Sequence, residues 1–196
     1  YSQLEFLRLS FFPIQIPFDN IIFRGLKMIV QIKFKINVNP VQIMAKNVKK
    51  TFHTGSVKKT IKIKASRDKV WRKISNIAGL STWVIDVKKT TYLSKKKKGV
   101  GAVRLIIFAD GNKIEEHVVA WENKESFTYI ATEGLPLRAY IATISIKSKS
   151  KNLVELTWGS YLNSKKMSEK QFLEFLVFMG IFYETSLENL KELLEK

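Results

Sequence analysis

The sequence predicts an α+β fold: a curved antiparallel sheet of about seven strands wrapped around a long C-terminal helix, with two short helices after the first strand. Three observations predict it. Residues 58–161 hold seven short segments, alternating or apolar, separated by Gly, Asn, Lys or Pro turn signals. The connections between successive later segments are short, which makes neighbours antiparallel. Ser168 and Gln171 then form a capping box that opens a helical pattern running to the C-terminus.

Each element has its own signal. Over residues 58–65, Lys59, Thr60, Ile61, Lys62, Ile63 and Lys64 alternate charged with apolar or small side chains, the mark of a strand with one wet face. Ser66 stops that strand and serves as an N-cap. Asp68 in the first turn and Val70, Trp71 and Ile74 at helical spacing make a short helix that ends before Gly79. A second short turn covers residues 80–84, and further strands are read at 88–93, 102–108, 113–121, 126–132, 139–147 and 153–161.

In the last helix, Phe172, Leu176, Met179, Tyr183, Leu187, Leu190 and Leu194 form a stripe that must lie on the sheet. Phe175, Val177, Phe178, Ile181 and Phe182 add more apolar surface than one contact face uses. Such a segment wants burial on two sides, or a hollow lined by its side chains, so the gap between sheet and helix is the expected ligand site. Gly180 interrupts this stretch; it either lets the helix approach the sheet closely or loosens the helix so that the hollow opens.

Composition excludes several classes. The chain has 196 residues, 34 Lys and Arg against 17 Asp and Glu, a formal charge of +17, 45% hydrophobic residues and no Cys. That is too apolar for a disordered chain, too poor in Gly for a collagen, and without sulfur for disulfides or thiolate metal sites. Two His residues give structural zinc little support, and neither metal nor cofactor is expected. No run reaches the roughly 18 apolar residues of a membrane span, and Arg8, Asp19 and Arg24 break any secretory signal, so a cytoplasmic protein is expected.

Composition shifts near residue 44. Residues 1–43 carry five basic and two acidic side chains, are rich in Phe and Ile, and hold no lasting period. They are read as an N-terminal extension, non-native or disordered, with Met44 opening the native product. The alternative is a basic, apolar arm lying on a membrane surface. Residues 44–55 are read as a linker and 56–196 as the ligand-binding domain.

A family resemblance is carried by Gly99, Gly101 and Arg104, then Asp110-Gly111, Glu116 with Val118, Trp121, Ser126 with Tyr129, Leu135-Pro136, Tyr140 with Thr143, and Val154 with Trp158. The closing residues Ser186, Leu187, Asn189, Leu190, Lys191 and Leu194 are similar too. In this order the chain from about residue 57 resembles the START-like (SRPBCC) superfamily, specifically its polyketide cyclase, dehydrase and lipid transport branch. The resemblance implies a helix-grip fold with an internal apolar cavity for lipids, polyketides, sterols or similar molecules, and in some members catalysis on them. It also implies roles for Arg104 and Glu116, which match the Arg and Glu of the branch's enzymatic members.

The residues themselves bear on that pair. A three-residue hairpin loop of Ala109, Asp110 and Gly111 pairs Phe108 with Asn112 and therefore Arg104 with Glu116, on one face with Ile106, Phe108, Ile114, Val118 and Ala120. A guanidinium and a carboxylate opposed in a partly dry site offer an anion clamp and a proton acceptor. A two-residue turn at Asp110-Gly111 instead sets Arg104 opposite His117 and turns Glu116 outward. Even in the first register the pair is either a ligand site or a salt bridge serving only the sheet.

Tyr129 and Tyr140 offer hydroxyls to a ligand or are core, and Trp71, Trp83, Trp121 and Trp158 share that ambiguity. His53 falls in the presumptive tail, and His117 is isolated from any second ligand residue. Lys95–Lys98, with Lys147, Lys149 and Lys151, form a solvated rim, a surface for anionic lipid head groups, or a nonspecific nucleic-acid contact. No basic recognition helix supports the last, so nucleic acid is not the expected partner.

The expected function is binding of a hydrophobic small molecule, as carrier or sensor, by a monomer. Trp83, Ile106, Phe108, Val118, Tyr129, Tyr140, Trp158, Phe172, Leu176, Met179 and Tyr183 would line the hollow. The alternatives are a cyclase or dehydratase using Arg104 and Glu116, and a basic nucleic-acid or protein-binding module.

Overall fold

The computed structural model describes residues 52–196. The expectations for residues 1–43, and for most of the 44–55 stretch, lie outside the described residues. Seven strands, β1 (His53–Ile63), β2 (Val87–Tyr92), β3 (Val103–Phe108), β4 (Lys113–Glu122), β5 (Ser126–Glu133), β6 (Ala139–Ser150) and β7 (Leu153–Ser164), form one antiparallel sheet in the order β1-β7-β6-β5-β4-β3-β2. Between β1 and β2 lie α1 (Arg67–Ile74) and a 3₁₀ turn, Leu80–Thr82; α2 (Glu169–Glu195) closes the chain. β1 starts five residues before the segment read from the sequence and alternates from its first residue, so His53 lies within it, stacked 5.9 Å from Phe172 on α2.

Both helices begin where the sequence places their caps. The Ser66 side chain accepts from the Lys69 N–H, and Ser168 and Gln171 complete a reciprocal capping box. Each arrangement satisfies backbone donors that a helix start otherwise leaves bare.

The sheet carries its irregularity chiefly in β4. Its pairing with β5 slips between Glu115 and Glu116 and again between Val118 and Ala120. A bulge shifts the side-chain alternation by one residue and bends the strand. Ala120, expected on the inner face, is therefore exposed, while Trp121 turns inward to meet Trp71 at 5.2 Å and Phe127 at 5.5 Å. These rings join α1 to the sheet and are packing.

α2 lies across the concave face and comes closest to β1. There Gly55 matters: a Cβ on it would stand 2.6 Å from Leu176 Cδ1. At Gly180 the nearest atom to such a Cβ is Lys59 Cε at 3.7 Å, an ordinary contact. The close-approach reading of Gly180 is thus corrected; the tight crossing is at Gly55.

The expected use of the helix's surplus apolar residues also changes. Phe175 is buried and Phe178 and Phe182 are half-buried, but Leu173, Val177 and Ile181 form an exposed stripe on the outer face. Part of the surplus therefore faces outward instead of walling a chamber.

Candidate functional site

The hairpin between β3 and β4 takes the three-residue form. Gly111 has a φ of +88°, its N–H donates to the Phe108 carbonyl, and the Phe108 N–H donates to the Asn112 carbonyl at 2.9 Å. That register places Arg104 opposite Glu116, both facing the concave side and both buried.

Within this dry setting Arg104 uses three of its five N–H groups. Its Nε and Nη2 donate to Glu116 Oε2 at 2.7 and 2.6 Å, and its Nη1 donates to the Ile77 carbonyl at 2.9 Å. Its Cζ lies 4.8 Å from the centre of the Tyr129 ring. Burial pushes the Glu116 carboxyl above its ordinary value, opposed by the charge and hydrogen bonds of Arg104. The Ile77 carbonyl, in the loop after α1, carried no sequence signal, because a backbone acceptor is the same in every residue.

Around the pair lies an aromatic cluster. Trp158 stacks on Tyr183 at 4.1 Å with 12° between planes, and its Nε1 donates to the Tyr129 hydroxyl at 2.9 Å. The Tyr140 and Tyr183 hydroxyls share a hydrogen bond of 2.6 Å. Burial holds all three tyrosines protonated far above the ordinary phenol range. Trp83 packs on Trp158 at 5.6 Å. Buried Trp83 Nε1 has no hydrogen-bond partner within the protein, and Ser160 Oγ neighbours the Tyr183 hydroxyl without a well-aligned hydrogen bond. Ser160 was missed in the sequence, although it alternates inward with Trp158 and Leu162 along β7.

The expected lining residues therefore divide. Trp83, Tyr129, Tyr140, Trp158 and Tyr183 converge around Arg104 and Glu116, and Ile106 and Val118 are buried on the same sheet face. Phe108 is half-buried and meets Phe182 of α2 at 6.3 Å. Met179 is buried on the inner face of the helix. Phe172 and Leu176 instead lie against His53 and Gly55 of β1, across β7, β6 and β5 from the ion pair.

The gap beneath α2 is spanned by rings in contact, from Trp158 through Phe182 to Phe108. An open cleft of about 290 Å³ between residues 81–84 and the end of α2, lined also by Asn189, Glu192, Leu193 and Lys196, shares Trp83 with the aromatic cluster. Among the described residues no three His, Asp or Glu side chains gather where they would hold a metal. His117 instead bonds Glu115 Oε1 at 2.6 Å.

A helix gripped by a bent antiparallel sheet over a buried Arg–Glu pair defines a START-like, helix-grip domain. Residues 54–195 match the family described as polyketide cyclase / dehydrase and lipid transport, and the chain belongs to that family. Solved structures share the fold. An uncharacterized protein from Bacillus thuringiensis is 21% identical, with a TM-score of 0.63 over 72% of this chain and 100% of that one. The ZhuI aromatase/cyclase from Streptomyces sp. R1128 is 12% identical, with a TM-score of 0.65 over 73% and 94%. Norcoclaurine synthase from Thalictrum flavum, solved with dopamine and hydroxybenzaldehyde, is 14% identical, with a TM-score of 0.57 over 80% and 96%. No curated protein matches the sequence.

Proposed function

We propose that the protein binds a hydrophobic small molecule between the sheet and α2, as a cytoplasmic carrier or sensor, and that Arg104, Glu116 and the tyrosine cluster orient the ligand's polar end. The observation that carries this reading is the company the ion pair keeps. Trp83 Nε1, buried without a protein partner, and Ser160 Oγ, whose neighbour is the Tyr183 hydroxyl, flank a stack of rings beside a carboxylate whose Oε1 receives neither Arg104 bond. Leaving a buried polar atom unpaired costs about 1–3 kcal/mol, so a polar ligand group that pairs Trp83 Nε1 is favoured. Apolar burial at roughly 25 cal/mol per Å² would supply most of the affinity.

Admission requires the rings bridging Phe108 to Phe182 and Trp158 to part. Both phenylalanines are half-buried, which makes this the side from which the space opens most readily. Binding to an anionic membrane surface would suit a carrier of such cargo.

A second reading is supported by the free Glu116 Oε1. A carboxylate with one oxygen fixed and one available, its proton affinity raised by burial, suits proton transfer at an activated carbon, with Arg104 stabilising the developing oxyanion. The readings separate on Glu116→Gln. A carrier keeps uptake of an apolar fluorescent probe such as a naphthalene sulfonate with altered affinity, whereas a cyclase or dehydratase loses turnover by roughly 10²–10⁴-fold. A wild-type protein that takes up no apolar probe contradicts both.

A further inference from the structure

We propose that the tip of the β2–β3 hairpin, residues 93–101, docks on an anionic lipid bilayer. This deepens the carrier reading by naming where cargo would be exchanged, but it is tested without any cargo.

The charge here is one-sided. Between Asp86 and Asp110 the sequence holds no acidic residue, while Lys88, Lys89 and Lys95–Lys98 all fall within that stretch and are exposed. Elsewhere on the surface the basic side chains are partly neutralised: Lys59 pairs with Glu184, Lys124 with Asp68, and Lys149 with Glu155. Among the described residues, none of the four tip lysines makes an ion pair.

The same tip carries apolar side chains into solvent. Leu93 and Val100 bracket the lysines and are 52% and 49% exposed. Val119 on β4, 41% exposed, follows Val118, whose carbonyl accepts from the Gly101 N–H at 2.9 Å. Exposed leucine and valine flanking a cationic run match an interface in which phosphate head groups take the ammonium ions and the acyl boundary takes the methyl groups. Nucleic acid has no comparable use for those methyl groups, and the tip offers no arginine fork for phosphates or bases.

The tip is also pre-shaped. The Val103 N–H donates to Ser94 Oγ at 2.8 Å, the Leu93 N–H to the Val103 carbonyl at 3.0 Å, and the Ala102 N–H to the Gly99 carbonyl at 3.1 Å. Gly99 and Gly101 supply the left-handed φ values of 78° and 87° that this path requires. The lysines are thus presented on a fixed loop, and docking need not order them first.

The test is flotation of the full chain with phosphatidylcholine vesicles, with and without phosphatidylserine. Binding is expected only with the anionic lipid, weakening as salt rises. Each lysine near such a surface is worth about fivefold, so replacing Lys95, Lys96, Lys97 and Lys98 together by Gln lowers vesicle affinity several hundredfold, on the order set by that factor. Leu93→Ser with Val100→Ser weakens binding at every salt concentration. Equal binding to uncharged vesicles, or unchanged binding by the lysine variant, overturns the proposal. So does binding to duplex DNA that needs the lysines but ignores Leu93 and Val100. Loss of probe uptake with vesicle binding intact would defeat the ligand reading and leave this one standing.

Discussion

Arg104 sends both Nε and Nη2 to the same carboxylate oxygen, Glu116 Oε2, at 2.7 and 2.6 Å. Three of the five guanidinium N–H groups go to one carboxylate oxygen and one backbone carbonyl, while Oε1 receives neither Arg104 bond. Removing one member strands the other. Arg104→Leu is expected to cost about 3–5 kcal/mol in denaturant unfolding, with Arg104→Leu/Glu116→Leu recovering much of that loss. Costs that simply add in the double variant would show that the two charges do not depend on each other.

The same pair sets a pH signature. Burial raises the Glu116 pKa in the folded chain above the unfolded value of 4.5. The folded state therefore holds its proton more tightly. The resulting stability is fully present below the unfolded value and is lost as pH rises through the folded one. Measured as wild type minus Glu116→Gln, stability should decline as pH climbs from about 4.5. A difference that instead grows with pH would mean that Arg104 holds the carboxyl below its ordinary value.

How far the sequence foretold this site depends on which force places each residue. Local chemistry was legible in part: a three-residue loop of Ala109, Asp110 and Gly111 pairs Arg104 with Glu116, as found, but the sequence left a two-residue turn open that would have set Arg104 opposite His117, while Ser66 and Ser168 marked both helix starts. The bulge at Val119 was not legible, because it answers to sheet curvature, and it moved Ala120 outward and Trp121 inward. Nor did the greasiness of α2 reveal which side its surplus faces. Periodicity reports that a helix has an apolar stripe, while Leu173, Val177 and Ile181 show that a second stripe is left uncovered.

The buried Tyr140 and Tyr183 hydroxyls share a hydrogen bond of 2.6 Å. Tyr140→Phe or Tyr183→Phe should each cost about 1 kcal/mol, and the double variant less than the sum, because no hydroxyl is then left unpaired. Thermal unfolding of the four proteins measures it. Strict additivity would contradict the pairing.

Two glycines should respond oppositely to Ala. At Gly134, φ is +88° and a Cβ would fall 1.9 Å from the Lys113 carbonyl oxygen, so Gly134→Ala forces the backbone apart and should cost at least about 2 kcal/mol. At Gly180 a Cβ finds ordinary space, and Gly180→Ala should raise stability by up to about 1 kcal/mol. If Gly180 loosens α2 for ligand exchange, the same variant slows release of a bound probe. A raised melting point with unchanged release would remove that role.

Native mass spectrometry of the protein isolated from its own cells, repeated after incubation with oleate, tests most directly whether the ringed space under α2 receives a guest. A single added mass per chain, apolar in character and displaced by oleate, is the expected result. A chain that flies bare from its source and stays bare after incubation would mean that the rings around Arg104 and Glu116 are a permanent core.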